Sequence, residues 1–265
     1  MSIANVLSIA GSDPSGGAGI QADLKTFSAL GAYVMAVIAG LTAQNTRGVV
    51  AVELPSPGFV AQQLRAVLDD IEVSAIKIGM LGNAEVIAAV ADVLRAQYDG
   101  PLVLDPVMVA KSGDALLRPE AVGALKQLLL PLATVVTPNL PEAAALTGLP
   151  AGSQYDMLAA ARALLALGPD AVLLKGGHLS GESSPDLLLT ADAREWLTAD
   201  RLPTKNTHGT GCTLSSAVAT FLAQGHDPVE ACRRGKAYIT AAIAGADQLS
   251  VGTGVGPTHH FHALW

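Results

Sequence analysis

Residues 206–216 read N-T-H-G-T-G-C-T-L-S-S, and the fold is decided by how this stretch is understood. Gly209 and Gly211 flank Thr210 and carry no Cβ, so backbone N–H groups there can turn inward and approach a ligand closely. Leu214, Val218, Phe221 and Leu222 then follow at the spacing of one helical face, which predicts a helix beginning near Gly211 or Cys212. The free N–H groups and positive dipole end of that helix would face the glycine loop, an arrangement suited to an anion such as phosphate. Cys212 falls in the first turn with His208 four residues upstream, so its thiol is expected to ionise more easily than an ordinary cysteine. The alternative is a Gly-rich turn capping an amphipathic helix, with Cys212 as a small buried hydrophobe.

Outward from this segment the chain repeats a strand, loop, helix pattern. An apolar run over 6–10 ends at Gly11, and the turn-rich loop 12–19 precedes a helix through Leu30. Gly17, Gly19 and Ala22 fit G-x-G-x-x-A, which raises a dinucleotide-binding reading. Two features count against it: residues 12–16 separate Gly11 from Gly17, and the next apolar run, 33–41, ends without an acid to hold a ribose. Asp23, early in the helix, fits a dipole partner. The cluster T-A-Q-N-T-R-G follows Leu41 and would stand at a strand's carboxyl edge, where Gln44 can both donate and accept to a heterocycle. A helix is predicted from Pro57 to about Asp70, a strand over 75–78, a helix over 84–97 and a strand over 102–104 ending at Asp105. A surface loop at 112–114, a helix from Pro119 and a strand over 135–137 come next.

Asn139 and Glu142 stand three apart at a helix start. They read equally as hard oxygen ligands for magnesium or as a capping box. A helix over 155–167 and a strand over 171–174 deliver Lys175 to a K-G-G-H loop, a natural phosphate contact. Alternating runs in 185–202 predict antiparallel edge strands, and a long Ala-rich helix from Pro228 to about Asp247 would bury Cys232. The histidines of the segment G-P-T-H-H-F-H-A-L-W read as terminal packing or surface groups. This βαβα alternation predicts a mainly parallel sheet with helices on both faces, in one domain spanning 1–265.

The 265 residues are half hydrophobic and carry 15% charged residues, 27 glycines and a net charge of −7, which suits an Ala/Val/Leu-rich enzyme and argues against a nucleic-acid surface. No apolar run is long enough for a membrane span, and the N-terminus lacks a basic signal region, so a cytoplasmic protein with no membrane partner is expected. Two cysteines without C-x-x-C spacing argue against disulfides and structural zinc.

The motifs A-G-S-D-P-S-G-G-A-G-I-Q-A-D (10–23), L-T-A-Q-N-T (41–46), I-K-I-G-M-L (76–81), D-P-V-M (105–108), T-P-N-L-P-E (137–142), L-L-K-G-G-H (173–178) and N-T-H-G-T-G-C (206–212) together resemble the hydroxymethylpyrimidine/phosphomethylpyrimidine kinases of thiamin biosynthesis. The resemblance spans essentially the whole chain. It implies a ribokinase-like three-layer αβα sandwich, ATP and Mg²⁺, and two successive phosphorylations of 4-amino-5-hydroxymethyl-2-methylpyrimidine. It places the anion hole on Gly209, Thr210, Gly211 and Cys212, with Cys212 as general base, where many sugar kinases of this fold carry Asp. It puts Lys175 and Thr210 at the ATP phosphates, and Asp105, Asn139 and Glu142 in the magnesium shell. Gln44 is implied as the pyrimidine contact, with Gly11, Asp23, Met80 and Val107 lining that pocket. The family also suggests a homodimer. Arg47 departs from the apolar residue expected in relatives and could alter a flap or subunit contact. A pyridoxal or pyridoxine kinase on the same scaffold is the alternative reading. No G-x-x-x-x-G-K-[ST] is present, so P-loop chemistry is excluded.

Overall fold

The strands are short apolar runs whose alternate residues face opposite ways, so each can bury both faces only between two helical layers. The computed structural model describes residues 3–109, 113, 116, 117 and 120–265. In chain order the elements are β1 (Asn5–Gly11), α1 (Gly19–Ala29), β2 (Tyr33–Asn45), β3 (Gly48–Glu53), α2 (Pro57–Leu68), β4 (Ala75–Ile78), α3 (Ala84–Gln97), β5 (Leu102–Leu104), α4 (Ala121–Ala124), β6 (Val135–Val136), α5 (Leu140–Thr147), α6 (Gln154–Leu165), β7 (Ala171–Leu174), β8 (Asp186–Thr190), β9 (Arg194–Leu197), α7 (Thr210–Ala223) and α8 (Pro228–Ala244).

Among the described residues one nine-stranded sheet runs β3-β2-β1-β4-β5-β6-β7-β8-β9. The pairs from β2 through β7 are parallel, while β3 on one edge and β8 and β9 on the other are antiparallel. Leu102 and Leu104 join Ile76, Ile78 and the buried faces of α2, α3, α5 and α6, whereas Val103, Val135 and Leu173 pack on the other face with Phe27 of α1, Leu214 and Val218 of α7 and Ile239 of α8. That is a three-layer αβα sandwich. Strand order reverses at β1, with β2 on one side and β4 on the other. The carboxyl ends of β1 and β4 therefore open the crevice where such sheets hold ligands.

Three boundaries differ from the sequence reading. The run expected to stop at Leu41 continues as β2 to Asn45. Beyond the β1 partner of Gly40 it pairs only with β3, from Leu41↔Glu53 to Asn45↔Gly48, so Gln44 rides on a two-stranded arm above the sheet edge, with Arg47 exposed in its turn. The helix expected from Pro119 begins, within the described residues, at Ala121 and passes into π and 3₁₀ turns through Leu132, where Pro131 ends it. Pro119 and residues 112 and 114 of the expected surface loop lie outside the described residues. The anion-loop helix starts one residue early, at Thr210.

Candidate active site

Helix α7 begins at a glycine because its N-cap needs a left-handed backbone. Gly209 has φ +76°, and a Cβ there would lie 1.7 Å from the Gly17 carbonyl oxygen. The loops after β1 and before α7 are thereby pressed together. Thr210 turns both its hydroxyl, at 2.7 Å, and its N–H, at 3.4 Å, back onto the Thr207 carbonyl. The amides of Gly209, Gly211 and Cys212 find no acceptor among the described residues and are the free donors of the anion site. Thr210, implied at the ATP phosphates, therefore stands among these amides with its hydroxyl turned onto its own loop.

Lys175 reaches the same place from the end of β7. A Cβ on Gly211 would be 3.2 Å from its Nζ and 3.5 Å from Asp105 Oδ2. Lys175 Nζ donates to Asp105 Oδ1 at 2.8 Å. Burial opposes the Lys175 charge, but Asp105 and Glu142 outweigh it and hold the ammonium above its ordinary range. Asn139 and Glu142 form the full capping box: Asn139 Oδ1 accepts from Glu142 N at 2.9 Å, and Glu142 Oε2 from Asn139 N at 2.8 Å. Asn139 is thus committed as a cap. Glu142 is buried, and burial, with Asp105 adding to it, lifts its carboxyl to about 7 against the pull of Lys175.

Among the described residues no three His, Cys, Asp or Glu side chains gather as a metal cluster. Asp105 and Glu142 are two neighbouring carboxylates, a donor set that would suit magnesium, which is commonly held by one or two carboxylates with waters and substrate phosphates completing its shell.

Cys212 corrects an expectation. Part of the residue still meets solvent, yet desolvation of its thiol, with Asp23 and Asp105 nearby, pushes it up to about 11 against Lys77 and the Gly19 N–H. His208, expected to assist the thiol, pairs instead with Asp13, Nε2 to Oδ2, at 2.7 Å.

The substrate-side residues divide. Gly11 and Met80 meet, since a Cβ on Gly11 would lie 2.4 Å from Met80 Cε, and Val107 follows Asp105 half-buried. Asp23 is no pocket wall or first-turn acid. It is fully enclosed, bonded to Lys77, Ser8 and Ser216. Lys77 and Asp13 were not singled out from the sequence. A lysine inside the apolar strand A-I-K-I was the available signal for the first, and no local signal marks the second. In the C-terminal segment His259 and His260 are buried, with His260 lowered to about 3 by desolvation and then by the charge of Lys25, which agrees with packing.

Free helix-start amides, a lysine and two carboxylates at the carboxyl edge of this sheet define a phosphotransferase of the ribokinase-like class. The profile of the phosphomethylpyrimidine kinase family matches residues 13–259, and the chain belongs to that family. It is 57% identical over 260 residues to the hydroxymethylpyrimidine/phosphomethylpyrimidine kinase of Rhizobium meliloti, covering 98% of this chain and 97% of the relative. It is 53% identical to the Escherichia coli enzyme of the same name, covering 98% of each. Among solved structures, the pyridoxal kinase of Staphylococcus aureus in complex with ADP superposes with TM-score 0.91 at 37% identity, covering 100% of this chain and 96% of that one. The phosphomethylpyrimidine kinase of Clostridium difficile gives TM-score 0.80 at 46% identity, covering 91% and 99%. Among the described residues no helix is long and apolar enough to cross a membrane.

Proposed function

We propose that this protein transfers the γ-phosphoryl group of ATP to the hydroxymethyl oxygen of 4-amino-5-hydroxymethyl-2-methylpyrimidine, and then phosphorylates the monophosphate to the diphosphate, in thiamin biosynthesis. The observation that carries this reading is the set of free amides at Gly209, Gly211 and Cys212 beside Lys175, in a chain more than half identical to kinases of that name. The amides and Lys175 bind and orient the transferring phosphoryl group, and Gln44 holds the ring edge against Gly11 and Met80. Mg²⁺, held through Asp105 and Glu142, would neutralise charge developing on the phosphates. Cys212 takes up the hydroxymethyl proton from its minority thiolate form, which desolvation disfavours and Lys77 and the Gly19 amide only partly support. We place the enzyme in the cytoplasm as a homodimer of one kinase domain. Leu41, Val50 and Val52, exposed along the β2–β3 arm, support a subunit contact there.

ADP release coupled to a reporter, measured with the pyrimidine and with pyridoxal, tests the reading. The pyrimidine should yield two ADP per molecule at the higher kcat/KM. Faster turnover of pyridoxal would favour the second reading, which the likeness to solved pyridoxal kinases keeps specific.

A further inference from the structure

Between β7 and β8 the chain runs K-G-G-H-L-S-G-E-S-S-P (175–185), a stretch of glycines and serines with no periodicity that would hold it in one shape. Side chains from outside the stretch supply that shape. Asp186, buried at the start of β8, accepts the Gly176 N–H on Oδ1 at 2.8 Å. Its Oδ2 takes the ammonium of Lys236, from α8, at 2.8 Å, and Lys236 also donates to the Ser184 carbonyl at 2.9 Å. A Cβ on Gly176 would lie 1.8 Å from the Pro185 carbonyl oxygen, so only glycine lets the two ends of the loop close on each other.

Arg201, which follows β9, holds the rest of the loop. Its guanidinium donates from Nη1 to the Gly177 carbonyl at 3.0 Å, from Nη2 to Leu179 at 2.7 Å and Ser183 at 3.4 Å, and from Nε to Gly181 at 3.0 Å. Its own N–H bonds the Glu182 carbonyl at 2.8 Å. The four side-chain acceptors are alternate residues, so the loop is wound around one planar cation whose rigid fork of donors matches them. At the other end the Lys175 N–H is tied to the Pro138 carbonyl at 2.8 Å. Consecutive amides at Lys175 and Gly176 are thus pinned to different partners, which fixes the direction in which the Lys175 side chain leaves the sheet.

We propose that Asp186 and Arg201 are positioning residues for the nucleotide: Asp186 aims Lys175 through the Gly176 amide, and Arg201 keeps the loop beyond it in the one shape that leaves Lys175 facing the anion site. ATP then meets a preformed loop, and its binding energy is not consumed in ordering it. This rests on the reading of Lys175 as a phosphate contact. Neither Asp186 nor Arg201 is among the groups gathered at the anion site; both act on the backbone that carries one of them.

The test is calorimetric binding of ADP, with KM for ATP and for the pyrimidine, in wild type, Asp186→Ala, Asp186→Asn, Arg201→Met, Arg201→Lys, Lys175→Met and the double variant Lys175→Met/Asp186→Ala. Asp186→Ala and Arg201→Met should each weaken ADP and raise the ATP KM about 10-fold while the pyrimidine KM stays put. Asp186→Asn still offers Oδ1 to the Gly176 N–H and should recover most of the loss. Arg201→Lys, a point charge without the fork, should not. With Lys175 gone there is nothing left to aim, so Asp186→Ala should cost the Lys175→Met protein no more than about 2-fold further in ADP affinity. Wild-type ADP affinity in Lys175→Met would remove the phosphate contact and the inference with it. Weakened ADP binding in Lys175→Met, combined with an undiminished loss from Asp186→Ala in that background or with equal rises in both KM values, would overturn the positioning role alone. Arg201 is exposed, so Arg201→Met decides even if Asp186→Ala fails to fold, and an unchanged ATP KM there overturns the proposal.

Discussion

Lys77 Nζ lies 2.9 Å from both carboxylate oxygens of Asp23, and neither side chain has any exposure to solvent. The pair joins β4 to α1, and hydroxyls of Ser8 from β1 and Ser216 from α7 complete it. Four elements around the crevice are therefore fixed to one buried ion pair, just beneath the anion loop.

Lys77→Met leaves Asp23 buried without a cation and should destabilise the protein by about 3–5 kcal/mol in urea unfolding. Adding Asp23→Asn should recover part of that loss. A cost under about 1 kcal/mol for Lys77→Met would show the pair to be dispensable.

Asp13 gives a pH signature. Burial opposes its charge, but the bonds from His208, Ser15 and Ala18 prevail and hold it near about 2. Because the folded value is depressed, the carboxylate stabilises the fold above its ordinary value of 3.8, and that contribution is lost as pH falls from there to about 2. It amounts to about 2 kcal/mol. Unfolding free energies of wild type and Asp13→Asn should differ by a constant amount near neutrality and converge by that much in acid. A difference independent of pH down to about 2 would contradict the assignment.

Cys212 is predicted to act from a minority thiolate. With the thiol at about 11, kcat for the first phosphorylation should climb about tenfold per pH unit from neutrality upward. Cys212→Ala should lower that kcat about 10²- to 10⁴-fold and flatten the profile. The second step, whose nucleophile is an ionised phosphate oxygen, should lose less and vary little with pH. Equal losses in both steps would mean that the base lies elsewhere.

Glu142→Gln separates capping from magnesium. Glutamine keeps the reciprocal box with Asn139, so the helix start should survive, while the Mg²⁺ concentration for half-maximal rate should rise about 10- to 100-fold with pyrimidine affinity unchanged. The raised carboxyl, near about 7, means that the wild-type fold binds a proton which the unfolded chain has released; wild-type stability therefore declines as pH rises from 4.5 to about 7. The glutamine variant should lack that decline. Normal magnesium dependence with lost stability would leave capping as the only role.

The alternating elements were legible because each strand and helix carries its own period, and the capping box because its two residues are three apart. The glycine loop was legible as a helix start. The extension of β2 was hidden by the polar residues Thr42, Gln44 and Asn45, which suit a turn as well as an arm paired on one side only. Lys77 was hidden because its partner Asp23 lies 54 residues away, and Asp13 because His208 is 195 away. The Cys212 thiol was misjudged for a similar reason: the helix end that favours ionisation is local, whereas the desolvation that opposes it comes from β1, β4 and α1 packing around it.

The clamp on His208 also orders events during synthesis. Its backbone is paired with Gly256 and Thr258, and its ring with a loop laid down at residue 13. On the ribosome the sheet strands emerge and can pair long before residues 256–258 leave the exit tunnel, so the nascent chain holds an assembled scaffold with an unset phosphate loop. Setting of that loop therefore waits on residues 256–258.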